Sequence, residues 1–283
     1  MNEVWQQRLK QSQERIRDKT LRRRKLVALW SYAKKLLIIL IIVQIFFPEY
    51  LKRMVYPYIY GKATTEKVQI SSEDSFEDIN APAFKFDKDG WSYVLYPRTK
   101  YSVTGRIGIV ERYDTLFGKI FRGQFQGDYI NLVPLDLFIV INELAKPEIF
   151  KMFRFVHEER MGGIRCKGVK YRESVMSGFF SSWSEYEKSK ANLAKCQPYM
   201  KDEYLNNYHP IPANKNIDKA LHQIVAGDVV HLEGVLVDVP QMGLKTGTRK
   251  NQFHKELYGG RAGAGMCFIL YTTKVILNNR VYE

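Results

Sequence analysis

Along the chain the hydrophobic pattern changes twice. Residues 1–28 are polar and basic, with apolar positions thinly spread. A dense apolar run follows, Leu36 to Phe47, broken only by Gln44. The run is 12 residues long, whereas a helix crossing a bilayer core takes about 20. Leu26 to Ala33 extends it upstream, and Lys34 and Lys35 reach headgroups by snorkelling. Trp30, Tyr32, Tyr50, Tyr56, Tyr58 and Tyr60 flank it as interfacial aromatics do. The pattern therefore predicts a transmembrane anchor over 29–50. Pro48-Glu49-Tyr50 after the run lacks the small residues of a cleavage site.

Residues 51–82 are polar, Ser- and Thr-rich and acidic toward their end, and read as a linker. From Phe84 the period becomes two. Phe84 to Phe86 and Trp91 to Tyr96 flank an Asp-Lys-Asp-Gly turn and predict a hairpin. Tyr101 to Tyr113 alternates with Gly105 inside it, and Val229 to Val239 repeats that texture around Gly234. A mid-strand glycine lets a barrel strand coil. Leu132 to Ile141 is an apolar run with Asp136 inside it, too short to span and read as a buried element. Phe153 to Glu158, Gly163 to Tyr171, Met266 to Thr273 and Val275 to Leu277 are further strands. Two helices interrupt them. One starts at the Ser184-Glu185-Tyr186-Glu187 capping box. The other is capped by Asn214 or Asn216, with Ile217, Ala220, Leu221, Ile224 and Val225 on one face and Gly227 at its end.

The expected fold is α+β: an N-terminal transmembrane helix followed by a β-rich domain with a curved, partly OB/barrel-like sheet. The segments are a basic cytoplasmic N-terminus (1–28), the anchor (29–50), a linker (51–82) and a β-rich extracytoplasmic domain (83–283).

Charge sharpens the topology. The 283 residues carry a formal charge of +14, but 13 of 44 basic and only 4 of 30 acidic residues precede position 54. That asymmetry places the N-terminus in the cytoplasm and the domain in the periplasm, on the inner membrane. The remaining balance is too mild for a polyanion-binding surface, so nucleic acid is not an expected partner. Membrane lipids and other membrane or periplasmic proteins are, in a hetero-oligomer.

Candidate chemistry is sparse. Cys166, Cys196 and Cys267 show no metal-ligand spacing, so no metal or cofactor is expected. Outside the cytoplasm Cys166 and Cys196 are able to pair, with Cys267 left buried in its strand. Gly259 to Gly265 lacks the Lys-Ser/Thr ending of a phosphate loop. No nucleophile elbow and no Cys/His arrangement is visible. His222 and His231 read as solvated. His209 stands out, because it lies in Asn206-Asn207-Tyr208-His209-Pro210, a polar turn before a helix. Asp136 needs a partner in its apolar run. The expectation is a polar cluster of Asp136, Arg160, Asn207, His209 and Arg249, structural in the first reading. In the second it is the general acid/base site of an extracytoplasmic enzyme or ligand sensor.

Four patches resemble an uncharacterised family of bacterial single-pass membrane-anchored envelope proteins. They are Pro134-Leu135-Asp136, Asn207 to Ala213 with the following helix, Gly227-Asp228-Val229-Val230 through Gly234, and Thr248-Arg249 with Gly263 to Cys267. In that family the Gly-rich stretch ends in Cys-Glu, whereas Cys267 here precedes Phe268. The resemblance covers about residues 100–277 and implies a shared fold and an envelope location.

The functional expectation is a non-catalytic, membrane-anchored subunit or assembly factor of a secretion, conjugation or transport complex. Gln44 offers a polar contact to another helix. Phe179, Phe180 and Trp183 offer an aromatic interface. Labelling single cysteines from outside intact cells checks the orientation: a cysteine at position 250 reacts and one at position 10 does not.

Overall fold

The structure is a computed structural model that describes residues 29–30, 32–39, 54–55, 57–64, 68–70, 74–113, 131–158, 161–169, 183–247 and 267–283. The chain forms two compact units, Met1–Val55 and Tyr56–Glu283. In the first, residues 29–30 and 32–39 are helical and exposed. Among the described residues no helix is long and apolar enough to cross a membrane. The expected anchor runs on through residues 40–50, Gln44 among them, which lie outside the described residues.

The second unit is built on a nine-stranded mixed sheet. Its long member is β4 (Trp91–Arg112), which leaves β3 (Phe84–Lys88) through a two-residue turn. Asp89 and Gly90 both take positive φ there, 51° and 84°, as a tight hairpin twisted with its strands requires. Strands β5 (Leu135–Val140), β8 (Leu205–Pro212), β9 (Val229–Asp238) and β10 (Cys267–Leu277) complete a circuit with β4. β4 pairs antiparallel with β5, β5 with β8, β10 with β9, and β9 with β4 again. β8 and β10 run parallel. Every strand of the circuit thus has two neighbours and no free edge.

Smaller strands extend the circuit. β1 (Lys62–Ala63) pairs with β11 (Arg280–Tyr282), and β2 (Ser75–Asp78) pairs with β4. Both β1 and β2 fall in the expected linker, so part of 51–82 is sheet instead. A composition rich in Ser and Thr left their pairing invisible, because β1 borrows its partner from 217–219 positions away and β2 from 21–27. The strands expected at Met266–Thr273 and Val275–Leu277 are one strand, β10, whose register against β9 slips between Thr272 and Lys274. The outlying hairpin of β6 (Phe153–Glu158) and β7 (Met161–Cys166) is separate from the main sheet.

Helix α1 (Trp183–Cys196) begins one residue ahead of the capping box. A disulfide joins Cys196 at its end to Cys166 at the end of β7, closing a 30-residue separation and stabilising the pair by about 2–4 kcal/mol. Helix α2 (Lys215–Leu221) lies between β8 and β9. The Asn214 side chain accepts from the Asn216 and Ile217 amides, a cap worth about 1 kcal/mol. Ile217, Ala220 and Leu221 then enter the main core, which also takes Leu135, Leu137, Ile139, Tyr208, Phe268 and Leu270.

Alternation sends the other residues of β5 and β8 to the opposite face, where two further cores lie. Phe138, Val140 and Leu205 pack with Phe153, Ile164 and the disulfide. Ile211 and Ile269 pack with Tyr93, Leu95, Leu132 and Val133. β5 is buried on both faces, which is why its sequence reads as a continuous apolar run.

Strands of the circuit approach closely at Gly234. A Cβ there would lie 2.1 Å from the Tyr271 carbonyl oxygen, a backbone atom that cannot swing aside. Gly234→Ala is therefore expected to destabilise the domain by about 3 kcal/mol, at the upper end of overpacking costs. Denaturant unfolding of the purified domain measures it, and an unchanged midpoint would show that β9 and β10 part freely.

Candidate functional site

The polar residues of interest sit on the seam between those two outer cores. In the antiparallel register of β5 and β8, Leu137 faces Tyr208, so Asp136 falls beside His209 on the outer face. In the parallel register of β8 and β10, Cys267 faces Asn207 and Ile269 faces His209. Cys267, Asn207, His209 and Asp136 therefore share one face of three adjacent strands. Period-two alternation puts 207 and 209 on the same side, and the register brings the other two to them.

Asp136 is 2% exposed. One carboxylate oxygen, Oδ1, meets His209 Nδ1, and the other, Oδ2, accepts the hydroxyl of buried Tyr113. His209, 4% exposed, also lies beside the Cys267 thiol, near enough for each group to shift the other's titration. With Nδ1 turned to the carboxylate, the Nε2 side of the ring is the one left for sulfur. The Asn207 amide, 1% exposed, donates to Cys267 Sγ at 3.4 Å. Cys267 itself is half-buried, and with Cys166 and Cys196 joined it is the free thiol of a chain with three cysteines.

Electrostatics follow from this geometry. Burial opposes the charged form of His209, but the Asp136 charge and hydrogen bond, helped by Cys267, outweigh it and raise the imidazole to about 10. Burial likewise pushes the Cys267 thiol up. The His209 hydrogen bond and charge, with the Asn207 amide, overcome that and lower it below its ordinary value. Both shifts favour an imidazolium–thiolate pair. A thiolate beside an imidazolium held by a buried carboxylate has the make-up of an activated nucleophile.

The start of β10 is held from its other side. Arg98 pairs with Asp238 at 2.6 Å. Asp238 Oδ1 accepts the Thr246 amide, and Thr246 Oγ1 accepts the Ile269 amide. The Gly247 amide donates to the Cys267 carbonyl at 2.9 Å. These bonds fix the backbone that carries the sulfur.

Of the expected cluster, the structure brings together Asp136, Asn207 and His209. Arg160 and Arg249 lie outside the described residues, as do Phe179, Phe180 and the Trp183 side chain. The expectation that no Cys/His arrangement exists is corrected by Cys267 beside His209. Sequence reading missed Cys267 because 58 positions separate it from His209, and it missed Tyr113 for the same reason. The clue available was the odd cysteine left over after pairing. His231 and His222 are not solvated as expected. His231 bridges Thr104 Oγ1 and Glu233 Oε1, each at 2.7 Å, while His222 Nδ1 meets the Asp218 carbonyl at 2.7 Å. Both are part-buried because their neighbours on strand or helix cover them.

A second buried polar cluster lies on the inner face. Tyr101 donates to Asp74 Oδ2, Tyr208 donates to Tyr101 at 2.6 Å, and the Asn206 amide donates to Asp74 at 3.2 Å. Burial first keeps both phenols well above their ordinary titration range, followed by the Tyr208 phenol and then Asp74 at Tyr101, and by the Asp74 charge at Tyr208. This cluster ties the residue preceding β2 to the main sheet. Among the described residues no group of three or more His, Cys, Asp and Glu side chains is arranged to hold a metal ion.

The sign of the pH dependence follows from His209. Its folded value, about 10, lies above its unfolded value near 6.5. The stabilisation it contributes is complete below about pH 6.5 and is lost as pH rises through about 10. Thermal melts of the wild type and His209→Gln between pH 6 and 10.5 check this: the difference in Tm is expected to shrink toward the alkaline end. Iodoacetamide alkylation of Cys267 reads the other partner, with an inflection below the ordinary thiol range that moves up in His209→Gln. Compared with protein-family models, curated proteins and solved structures, the chain matches none.

Proposed function

We propose that the β-rich domain is an acyl-transferring or acyl-hydrolysing enzyme with Cys267 as nucleophile, His209 as acid and base, and Asp136 as the group that orients and charges His209. The observation that carries this reading is the single free thiol on the strand face beside an imidazole whose Nδ1 rests on a buried carboxylate, with a buried amide donating to the sulfur. A structural cluster needs no sulfur at that position and no exposure of it, yet Cys267 reaches the surface of the domain. This reading replaces the non-catalytic subunit expected from the sequence. One ground for that expectation was the lack of a catalytic constellation, and its other grounds, Gln44, Phe179, Phe180 and the Trp183 side chain, lie outside the described residues.

The chemistry runs in two halves. The Cys267 thiolate adds to a substrate carbonyl carbon, and the carbonyl π pair moves to oxygen. Collapse of that adduct expels the leaving group, which takes its proton from the His209 imidazolium, and leaves a thioester on Cys267. Neutral His209 then accepts a proton from water or another acceptor as it attacks the thioester, and thiolate and imidazolium are restored. Asp136 holds Nδ1–H throughout, so that Nε2 always faces the sulfur, and Tyr113 holds Asp136.

The setting belongs to the same proposal. Strand order, with the helix between β8 and β9 and β8 parallel to β10, supports an OB-type barrel. The Cys166–Cys196 disulfide supports an oxidising compartment, and the basic residues before the apolar run support an anchored domain outside the cytoplasm.

The test uses p-nitrophenyl acetate as a generic acyl donor. A burst of p-nitrophenolate with an acetyl thioester on Cys267, seen by intact mass, is expected for the wild type. Cys267→Ala abolishes it, and His209→Gln slows it by about 10²–10⁴, both as folded proteins. Acetylation no faster than that of the thiol in the unfolded chain would overturn the reading.

A further inference from the structure

The carbonyl addition proposed above places negative charge on an oxygen one bond beyond the carbon joined to Sγ. That charge needs a donor in place before the reaction begins. His209 is not available for it, because its Nδ1 is engaged by Asp136 and its other side faces the sulfur and the leaving group. Tyr113 is committed to Asp136. Asn207 is different. It sits on β8 directly opposite Cys267 in register, on the same face and two residues before His209. Its Nδ2 already points at the sulfur, at 3.4 Å.

We infer, resting on the acyl-transfer reading, that the Asn207 side-chain amide is the oxyanion donor of this site. In the resting protein Nδ2 donates to the thiolate. When the sulfur becomes bonded to carbon its charge is gone, and the charge reappears on the neighbouring oxygen. Nδ2 needs only a short shift from sulfur to that oxygen to reach the about 2.7–3.1 Å separation an oxyanion donor takes. Burial favours the role twice. It removes competing water, which strengthens the bond to the developing charge, and it holds the amide without reorganisation. A buried asparagine on the face of an apolar sheet is also costly unless its amide is used, and the direction in which this one is used is toward the nucleophile.

The role separates two reactions of the same thiolate. Addition to a carbonyl builds an oxyanion; displacement of iodide from iodoacetamide by the thiolate does not. Cys267 is the free thiol of the chain, so both reactions read one atom. In Asn207→Ala, acylation by p-nitrophenyl acetate is expected to fall about 10²–10³-fold. Alkylation, taken on the pH plateau where the sulfur is fully ionised, stays near the wild-type rate. Taking the plateau removes any change in the thiol's own titration. If Asn207→Ala does not melt as a folded protein, Asn207→Asp takes its place: it keeps the shape and removes the donor, and the same split is expected.

Equal loss of both rates would assign Asn207 to holding the sulfur alone, and no loss of either would remove it from the site; both overturn the inference. Wild-type protein that alkylates readily but forms no thioester would instead overturn the acyl-transfer reading itself, a result distinct from either.

Discussion

A charged carboxylate lies within a strand that is buried on both faces, and the domain is arranged to tolerate it. Moving such a charge out of water costs several kcal/mol even after relaxation, and removing its partner costs about 3–5 kcal/mol more. Asp136 meets that demand with two contacts, the imidazole of His209 and the hydroxyl of Tyr113. Both contacts are set by register. A one-residue slip of β8 against β5 would turn His209 to the inner face and leave the carboxylate with Tyr113 alone. The pairing of three strands is thereby coupled to one electrostatic requirement.

The same requirement favours the thiolate form of the sulfur. Because Asp136 is sealed from water, its charge acts on His209 with little screening. The raised imidazole in turn lowers the thiol beside it. Stability and reactivity therefore share their residues, and the direction of the sharing is informative. A sheet wanting only stability would be served by apolar side chains at 136 and 209, since well-packed replacements for buried ion pairs are often neutral or stabilising.

Supports arrive from several sides. Closure of the circuit removes the strand edges that would otherwise let β8 and β10 move apart. The bonds from Arg98 through Asp238 and Thr246 to Ile269 secure the first residues of β10. On the inner face Tyr101, Tyr208 and Asp74 bind the main sheet to the segment entering β2. The disulfide keeps the β6–β7 hairpin and α1 together on the core that covers Phe138. The sulfur-bearing end of β10 sits between these supports.

The sequence by itself determined what depends on neighbours a few residues away. The Asp-Gly turn, an asparagine cap at 214 or 216, the alternation of β4 and β9, and the burial of β5 are all local, because period and propensity act within a turn or a strand. It also marked Asp136 as a charge in need of a partner and His209 as a residue set apart. Tertiary structure decided the rest. Which cation Asp136 meets, that Cys267 lies one strand beyond it, and that a stretch with the composition of a linker supplies β1 and β2 all depend on register between strands 21 to 219 positions apart. Strand pairing is written in main-chain hydrogen bonds, which every residue but proline can make, so no side chain announces its distant partner. Cys267 read as a small buried apolar residue in its own strand; only the parallel pairing of β10 with β8 set it beside an imidazole.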